Sequence, residues 1–199
     1  MKLLIASSNK GKIKEIKKIL NDFDVELLNL DDIGYKKNVE EPAMTFEGNA
    51  IIKAMTIGEE SGLLTLADDS GLEVDILNGE PGVKSARWVS GNDQDRYKAL
   101  LLKLKDVPDE KRGAQFRTVI AIYNPKNKKI ITCEGVFKGK ILREARGENG
   151  FGYDPIFYSH EAKKTNAEMS LEEKNSISHR AKALVEARRI LGEEFVDDN

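Results

Sequence analysis

The sequence predicts an α/β protein built on a mixed β-sheet. In the first 60 residues, short apolar runs alternate with segments whose apolar residues recur at helical spacing, as in strands joined by helices. Two long β-prone runs, 114–123 and 129–137, flank the turn-rich segment 124–128. Such a pair indicates an antiparallel hairpin, so the sheet would contain both parallel and antiparallel strands.

Local patterns predict the elements of the first third of the chain in order. The apolar run 2–6 indicates a buried strand, and a helix follows in which isoleucines share one face. A second strand is expected at 25–30 and an irregular polar segment at 31–44. A second helix is expected from Thr45 to about Glu60, because these residues recur at helical spacing: Phe46, Ala50, Ile51, Ala54 and Met55.

The remaining elements follow from the same reasoning. A strand is expected over 63–66, ending at the acid pair 68–69 with a Ser-Gly turn directly after it. Alternating apolar residues predict another strand at 72–77, and a helix is expected at 94–104. After the hairpin, helical spacing predicts a helix over 176–191.

Length, charge and cysteine content limit the possible functions. A chain of 199 residues suits a single domain over 1–199. Its 32 basic and 34 acidic side chains leave a net charge of -2, which gives no global reason to bind nucleic acid or an acidic membrane. The apolar start turns polar at Ser7 and no run approaches membrane-spanning length, so no membrane partner and a cytoplasmic location are expected. The single cysteine, Cys133, is expected to be a small buried strand residue.

The acid pair Asp68-Asp69 is the strongest indication of chemistry. Carboxylates are costly to bury unless a cation pairs with them. Mg2+ takes oxygen ligands and usually binds through one or two carboxylates together with substrate phosphates. An ordinary surface turn rich in Asp, Ser and Gly is the alternative interpretation. Glu40 and Glu41 lie in the irregular segment, where they are either a solvated acidic loop or further metal ligands.

The start of the first helix favours an anion. Ser8 or Asn9 is a good N-cap, and the next turn holds Lys10, Lys12 and Lys14 where acids would normally be preferred. Backbone N–H groups at a helix N-terminus together with lysines form an anion site. The alternative is a solvated lysine-rich helix face. The segment matches neither a phosphate-binding Walker A loop nor a dinucleotide fingerprint.

Two further segments carry polar groups suited to a ligand. Ser170 to Glu173 has the pattern of a capping box, after which Lys174, His179 and Arg180 gather near another helix start. These cations form a second candidate anion site, although an isolated histidine is usually a surface residue. In Gly150–Pro155, glycines around aromatic residues would let a ring pack on a flat ligand such as a purine, unless the loop merely closes the core.

Together these segments resemble the inosine triphosphate pyrophosphatase family. The matching stretches occur in the family's order and span residues 7 to 180: Ser8–Lys12 with Glu15, Glu40–Glu41, Thr45–Phe46, Asn49–Ala54, Ala67–Leu72, Gly79–Val83, Ser85–Arg87, Gly150–Pro155 and Ser178–Arg180. Pro42 and Gly48 depart from the family's usual pattern, and Pro42 directly follows the acidic pair. Neither departure removes a presumed catalytic group, and Pro42 bears on the exact geometry of the metal loop alone.

The resemblance implies a fold and a reaction. The implied fold is an elongated α/β structure with a long central mixed sheet, flanking helices and a substrate cleft between two lobes. The implied reaction is Mg2+-dependent hydrolysis of ITP, dITP and XTP to the nucleoside monophosphate and pyrophosphate, which cleanses the nucleotide pool. The implied partners are a small-molecule nucleotide and a second copy of the chain in a cytoplasmic homodimer.

The resemblance also implies roles for individual residues. Asp69 would act as general base or hold the metal, with Asp68 and Glu41 supporting the metal. Phe151 would stack on the base. The full set of substrate-binding residues would be Ser7, Ser8, Asn9, Lys10, Gly11, Lys12, Lys53, Ser70, Phe151, Gly152, Tyr153, Asp154, Lys174, His179 and Arg180.

Two other functions stay open at the level of the residues. One is a different metal-dependent nucleotide phosphohydrolase, which would release orthophosphate. The other is a nucleotide-binding or RNA-associated module that uses the same basic helix starts without turnover. The near-neutral charge and the absence of a basic-aromatic RNA signature argue against the second.

Overall fold

The computed structural model describes residues 1–194 as an α/β fold with a seven-stranded mixed sheet, which confirms the predicted fold class. The strands in the described chain are β1 Lys2–Ile5, β2 Glu26–Asn29, β3 Leu64–Val74, β4 Gly113–Asn124, β5 Lys129–Ile141, β6 Phe157–Ser159 and β7 Lys164–Thr165. The helices are α1 Lys10–Ile19, α2 Phe46–Ser61, α3 Asp93–Lys103, α4 Leu171–Ile177 and α5 His179–Glu194.

The sheet combines parallel and antiparallel pairing in the order β2-β1-β3-β4-β5-β6-β7. Strand β1 pairs in parallel with both β2 and β3, so that Leu3 lies opposite Leu27 and Leu64. Strand β6 is antiparallel to β5 and to β7. Only residues 125–128 connect the neighbouring strands β4 and β5, as expected for the predicted hairpin.

Strand β3 runs without interruption through the acid pair. The prediction of a strand that ends there, followed by a Ser-Gly turn and a second strand at 72–77, was wrong. Ser70 and Gly71 lie inside β3, and the chain leaves the sheet only at Asp75, where a short 3-10 helix begins. Strand β3 lies between β1 and β4, and pairing within the sheet outweighs the local turn preference of a Ser-Gly dipeptide.

The C-terminal helical region contains a break that its spacing does not predict. A single helix over 176–191 was expected, but α4 ends at Ile177 and α5 begins at His179. Ser178 between them has an extended backbone, with φ -66° and ψ 163°. The predicted capping box at Ser170 is confirmed, because its side chain accepts from the Glu173 N–H while the Glu173 side chain accepts from the Ser170 N–H.

The described chain divides into two compact units, each with its own core. The first unit comprises residues 1–69, 118–135 and the chain from Arg180 onward. Its buried core residues are Leu3, Ile5, Ile16, Leu20, Leu66, Ile120, Ile122, Cys133, Ala183, Leu184, Ala187, Ile190 and Leu191. Cys133 is buried as predicted, and burial raises the pKa of its thiol to about 12.

The second unit comprises residues 70–117 and 136–179. Its buried core residues are Leu72, Val74, Leu100, Leu104, Ala114, Phe116, Phe137, Ile141, Tyr153, Ile156, Phe157 and Met169. Strands β6 and β7, with three and two residues, were not predicted because runs this short carry no periodic signal. Among the helices described, none has both the length and the apolar character needed to span a membrane.

Candidate functional site

Helix α1 begins with a turn that carries lysines and no acidic residue. Asn9 is its N-cap, because the Asn9 side chain accepts a hydrogen bond from the Lys12 N–H at 3.1 Å. Ser7 supports this cap by accepting from the Asn9 N–H at 3.2 Å. Ser8 and Lys10 are exposed beside the cap, while Ser7 and Gly11 are partly buried. The predicted arrangement of a positive helix end with added lysines is therefore present in the fold.

The side chain of Asp68 lies between two cations of the first unit. Lys12 Nζ is 3.1 Å from Asp68 Oδ2, and Arg180 Nη2 donates to the same oxygen at 3.2 Å. Arg180 also donates through Nη1 to Glu15. All of these side chains are nearly or fully buried except Lys12, which is 14% exposed. The ion pairs join α1, β3 and the start of α5.

The charges in this group shift its pKa values. Burial acts to raise the pKa of Asp68, but the positive charges of Lys12 and Arg180 outweigh burial and hold it well below its ordinary value. Burial also lowers the pKa of Lys12. For Arg180, burial is outweighed by Asp68 and Glu15, so its pKa is raised. Asp68 is thus held as a carboxylate by its surroundings.

Asp69 meets a different environment within the same unit. Asn49 Nδ2 of helix α2 donates to Asp69 Oδ2 at 3.1 Å, while Asn49 Oδ1 accepts from the Ala43 N–H at 2.9 Å. Burial raises the pKa of Asp69, and the nearby carboxylate of Glu41 contributes in the same direction. A carboxylate with a raised pKa is a better proton acceptor near neutral pH.

Lys53 connects the acidic loop to strand β3. Its Nζ is 2.9 Å from Glu41 Oε1 and donates to the backbone carbonyl of Asp68 at 3.0 Å. The Lys53 side chain is only 13% exposed and that of Glu41 23%. Helix α2, which carries both Lys53 and Asn49, therefore positions the loop acid and Asp69 together.

Glu41 and Asp69 carry oxygen donors of the kind that a hard divalent cation binds. In the part of the chain that the structure describes, no group of three or more His, Cys, Asp or Glu side chains forms a complete metal site. Mg2+ does not need one, because it commonly binds through one or two carboxylates and completes its shell with water and phosphate oxygens. Asp68 differs from these two acids in having Lys12 and Arg180 on its carboxylate.

The second unit holds a separate group of predicted residues around Asp154. Its Oδ2 accepts from Lys174 Nζ at 2.6 Å and from the Phe151 N–H at 2.9 Å, and its Oδ1 accepts from Asn166 Nδ2 at 3.0 Å. Lys174 Nζ also lies 4.8 Å from the centre of the Phe151 ring. Asp154 and Lys174 are both buried, whereas Phe151 is partly exposed. The buried ion pair thus places a cation against one aromatic ring.

Two other predicted residues of this unit have structural contacts. The Tyr153 hydroxyl donates to the Ser85 carbonyl at 3.0 Å, and burial raises the pKa of Tyr153 to about 12. The ring of His179 stacks on Phe116 with centroids 4.8 Å apart. Gly152 has a left-handed backbone with φ +64°, and Ser70 lies in β3 directly after the acid pair.

The structure therefore brings predicted residues together in two groups. The charged cluster of the first unit contains Lys12, Glu41, Lys53, Asp68, Asp69 and Arg180. The base-loop group of the second unit contains Phe151, Asp154 and Lys174. The site predictions did not include Asn49 and Asn166, whose amides bind Asp69 and Asp154. In the sequence, Asn49 lies three positions after Phe46, on the apolar face of the predicted helix. This position could have identified Asn49, because a polar side chain on a buried face needs a hydrogen-bond partner.

The fold and these groups have the features of an α/β protein that binds a phosphorylated ligand: a positive helix start, acids suited to a cation, and an aromatic loop with a buried lysine. Comparison with known proteins identifies the family. The model of the Ham1 family matches residues 3–190, so the chain belongs to the Ham1 family.

Relatives and solved structures agree with this assignment. The chain is 48% identical to a dITP/XTP pyrophosphatase of Desulforamulus reducens, with 98% of each chain covered. It is similarly related to a dITP/XTP pyrophosphatase of Bacillus licheniformis, at 47% identity over 95% of this chain and 97% of the relative. A HAM1 protein from Coxiella burnetii has the same fold, with a TM-score of 0.87 and 40% identity over 97% of this chain and 99% of that chain.

Proposed function

We propose that this protein is a nucleoside triphosphate pyrophosphatase that converts dITP, XTP and ITP to the monophosphate and pyrophosphate with the help of Mg2+. The main structural support is the charged cluster, in which two adjacent acids of one strand differ in their partners and in the direction of their pKa shifts. The names of the relatives support dITP and XTP as substrates. ITP and the Mg2+ requirement rest on the sequence resemblance and on the donor chemistry of Glu41 and Asp69.

In the proposed reaction, water attacks the α-phosphorus and the bond from that phosphorus to the bridging oxygen breaks, so pyrophosphate leaves. Asp69 would accept the proton of the attacking water through a carboxylate oxygen that does not hold the metal. Glu41 and Asp69 would hold Mg2+, which supplies neutralisation of the charge on the phosphate oxygens. One carboxylate can serve as ligand and proton acceptor because it has two oxygens.

The remaining residues of the charged cluster would bind and orient the triphosphate. The start of α1 and Lys12 would contact phosphate oxygens, and Lys53 would do so while it keeps Glu41 in place. Phosphoryl transfer depends mainly on positioning and charge stabilisation, which such groups provide. In the structure, Arg180 pairs with Asp68 and Glu15, so its contact with the base stays a prediction.

Selectivity would come from the base-loop group. Hypoxanthine and xanthine have a carbonyl at C6, whereas adenine has an amino group there. Lys174, which is a donor only, would bind that oxygen while Phe151 stacks on the ring. An adenine amino group would leave such a donor without an acceptor, and mispairing of this kind can discriminate by roughly 10^4. Guanine has the same carbonyl, so its rejection needs a different contact.

A product assay tests the proposal directly. ITP, XTP, dITP, ATP and GTP would each be incubated with the protein, with and without Mg2+, and pyrophosphate resolved from orthophosphate. Metal-dependent pyrophosphate release that is much faster from ITP and XTP than from ATP is the expected result. Orthophosphate as product would favour a different phosphohydrolase, and binding without turnover would favour a nucleotide-binding module. The homodimer implied by the resemblance would be measured separately by sedimentation.

A further inference from the structure

The loop that carries Phe151 is held by a carboxylate from a distant part of the second unit. Asp93, the first residue of α3, accepts a hydrogen bond at its Oδ2 from the Gly152 N–H at 2.7 Å. The two residues are 59 positions apart in sequence. We propose that Asp93 is a positioning residue that fixes Phe151 for stacking on the purine base, an inference that rests on the proposed function.

The conformation of the loop explains why such a tether is needed. Gly150 and Gly152, on either side of Phe151, both have left-handed φ angles of +77° and +64°. Glycine populates positive and negative φ with similar ease, so these residues alone do not fix the intervening backbone. The Phe151 N–H is bound by Asp154, and the Gly152 N–H is bound by Asp93. These two hydrogen bonds therefore hold both peptide planes that flank the Phe151 Cα, and they fix the direction in which the Phe151 side chain leaves the backbone.

Asp93 is itself well placed to act as an anchor. Its other carboxylate oxygen accepts from Arg96 Nη2, and Arg96 Nη1 donates to the Gly91 carbonyl at 2.9 Å. Helix α3 begins with a capping box between Asn92 and Asp95, which fixes the turn that carries Asp93. Hydrogen bonds to a charged acceptor are also stronger than those between neutral groups.

The first test compares Asp93→Ala with Asp106→Ala. Both variants remove one acid of the second unit, but Asp106 is an exposed acid beyond the end of α3, whereas Asp93 contacts the loop. Asp93→Ala is expected to raise KM for ITP and XTP by about tenfold or more, because a charge-assisted hydrogen bond is lost. Its kcat should change by less than about threefold, since the charged cluster is untouched. Asp93→Asn, which keeps an acceptor oxygen, should recover part of the affinity, and Asp106→Ala should leave KM unchanged.

Two further measurements separate positioning from general damage. Inorganic tripolyphosphate, used as a competitive inhibitor, lacks a base, so its inhibition constant should be the same in wild type and Asp93→Ala. In a Phe151→Ala background, the effect of Asp93→Ala on KM should largely disappear, because the residue it positions is gone. An equal effect in both backgrounds, or weaker tripolyphosphate inhibition, would overturn the proposal.

Amide hydrogen exchange measured by NMR tests the tether without any substrate. The Gly152 amide should exchange at least about tenfold faster in Asp93→Ala than in wild type, while Asp106→Ala leaves it unchanged. Unchanged protection of Gly152 in Asp93→Ala would refute the tether, whatever the kinetics. If the wild type released no pyrophosphate from these nucleotides, the proposed function would fail, and with it the role in base stacking. The exchange result would still decide whether Asp93 fixes the loop.

Discussion

Asp68 and Asp69 are adjacent in strand β3, yet the protein shifts the pKa values of their carboxyls in opposite directions. The pKa of Asp68 is lowered by Lys12 and Arg180, which outweigh its burial. The pKa of Asp69 is raised, mainly by burial. Neighbouring side chains of a strand point to opposite faces of the sheet, and here one face presents α1 and α5 while the other presents α2. Asp68 thus pairs directly with side chains of α1 and α5, whereas Asp69 accepts a hydrogen bond from a side chain of α2.

We expect different effects on the free energy of unfolding when each acid is replaced by its amide. Asp68→Asn would leave Lys12 and Arg180 with one fewer buried partner and should reduce the free energy of unfolding by roughly 3–5 kcal/mol. Asp69→Asn should be as stable as wild type or more stable, because it removes a charge that burial disfavours. Denaturant unfolding of the metal-free protein at about pH 7 measures both changes. Lower stability of Asp69→Asn than of Asp68→Asn would contradict this assignment of environments.

The same substitution at Asp69 should abolish most turnover. We expect Asp69→Asn to lose about 10^3-fold or more in kcat while the fold survives, because an amide cannot accept the proton of the attacking water. Asp24→Asn is the matched control, since Asp24 is an exposed acid of the same unit. Rates and melting temperatures would be recorded on the same samples. A kcat of Asp69→Asn near that of wild type would refute the proposed role of Asp69.

Low pH should reduce the stability of the fold through protonation of Asp68. A carboxyl whose pKa is lowered by folding contributes stability that is present above its unfolded pKa of about 4 and is lost as the pH falls further. Asp69 contributes in the opposite sense, because its raised pKa gives stability that is lost as the pH rises. The Asp69→Asn variant removes the contribution of Asp69, so that the contribution of Asp68 can be measured by itself. In that background the denaturation midpoint should fall steeply below about pH 4, and the added change Asp68→Asn should flatten the slope.

Removal of the buried lysine should reduce base selectivity. Lys174→Met is expected to raise KM for ITP and XTP by about tenfold or more, because the donor toward the 6-oxo group is lost. The ratio of kcat/KM for ITP and XTP to that for ATP should fall for the same reason. Lys164→Met is a suitable control, since the Lys164 side chain is more exposed and pairs with Glu173. Melting temperatures of both variants would show how much the fold is destabilised when Asp154 loses its Lys174 partner. Unchanged selectivity in Lys174→Met would show that the base is read elsewhere.

The requirement for metal can be tested through the loop acids. Glu41→Gln should raise the Mg2+ concentration for half-maximal turnover by about tenfold or more, because a charged oxygen ligand is replaced by a neutral one. Glu40→Gln serves as control, because Glu40 is the exposed neighbour in the same loop. Titration of MgCl2 after removal of bound metal with a chelator gives both values. Equal Mg2+ dependence in the two variants would remove Glu41 from the proposed metal site.

Local sequence patterns predicted the features that depend on local interactions. Asn9 caps α1 and Ser170 opens α4 with a capping box, as residues three positions apart suggested. The course of β3 was mispredicted because Ser70 and Gly71 favour a turn locally, while pairing with neighbouring strands decides the outcome. Residues that act through distant partners leave little local signal. Asp93 contacts a loop 59 residues away, and nothing near it in sequence indicates that contact.

The alternation of side chains in β3 makes the length of this strand as important as its residues. Leu66 joins the core with α1 and α5, and Asp68, two residues on, meets cations from the same helices. One residue inserted between Leu66 and Asp68 would turn each acid to the opposite face while leaving both in the sequence. Lys12 and Arg180 would then face the acid meant for catalysis. An aligned relative could therefore keep every functional residue and still be inactive through a single shift in spacing.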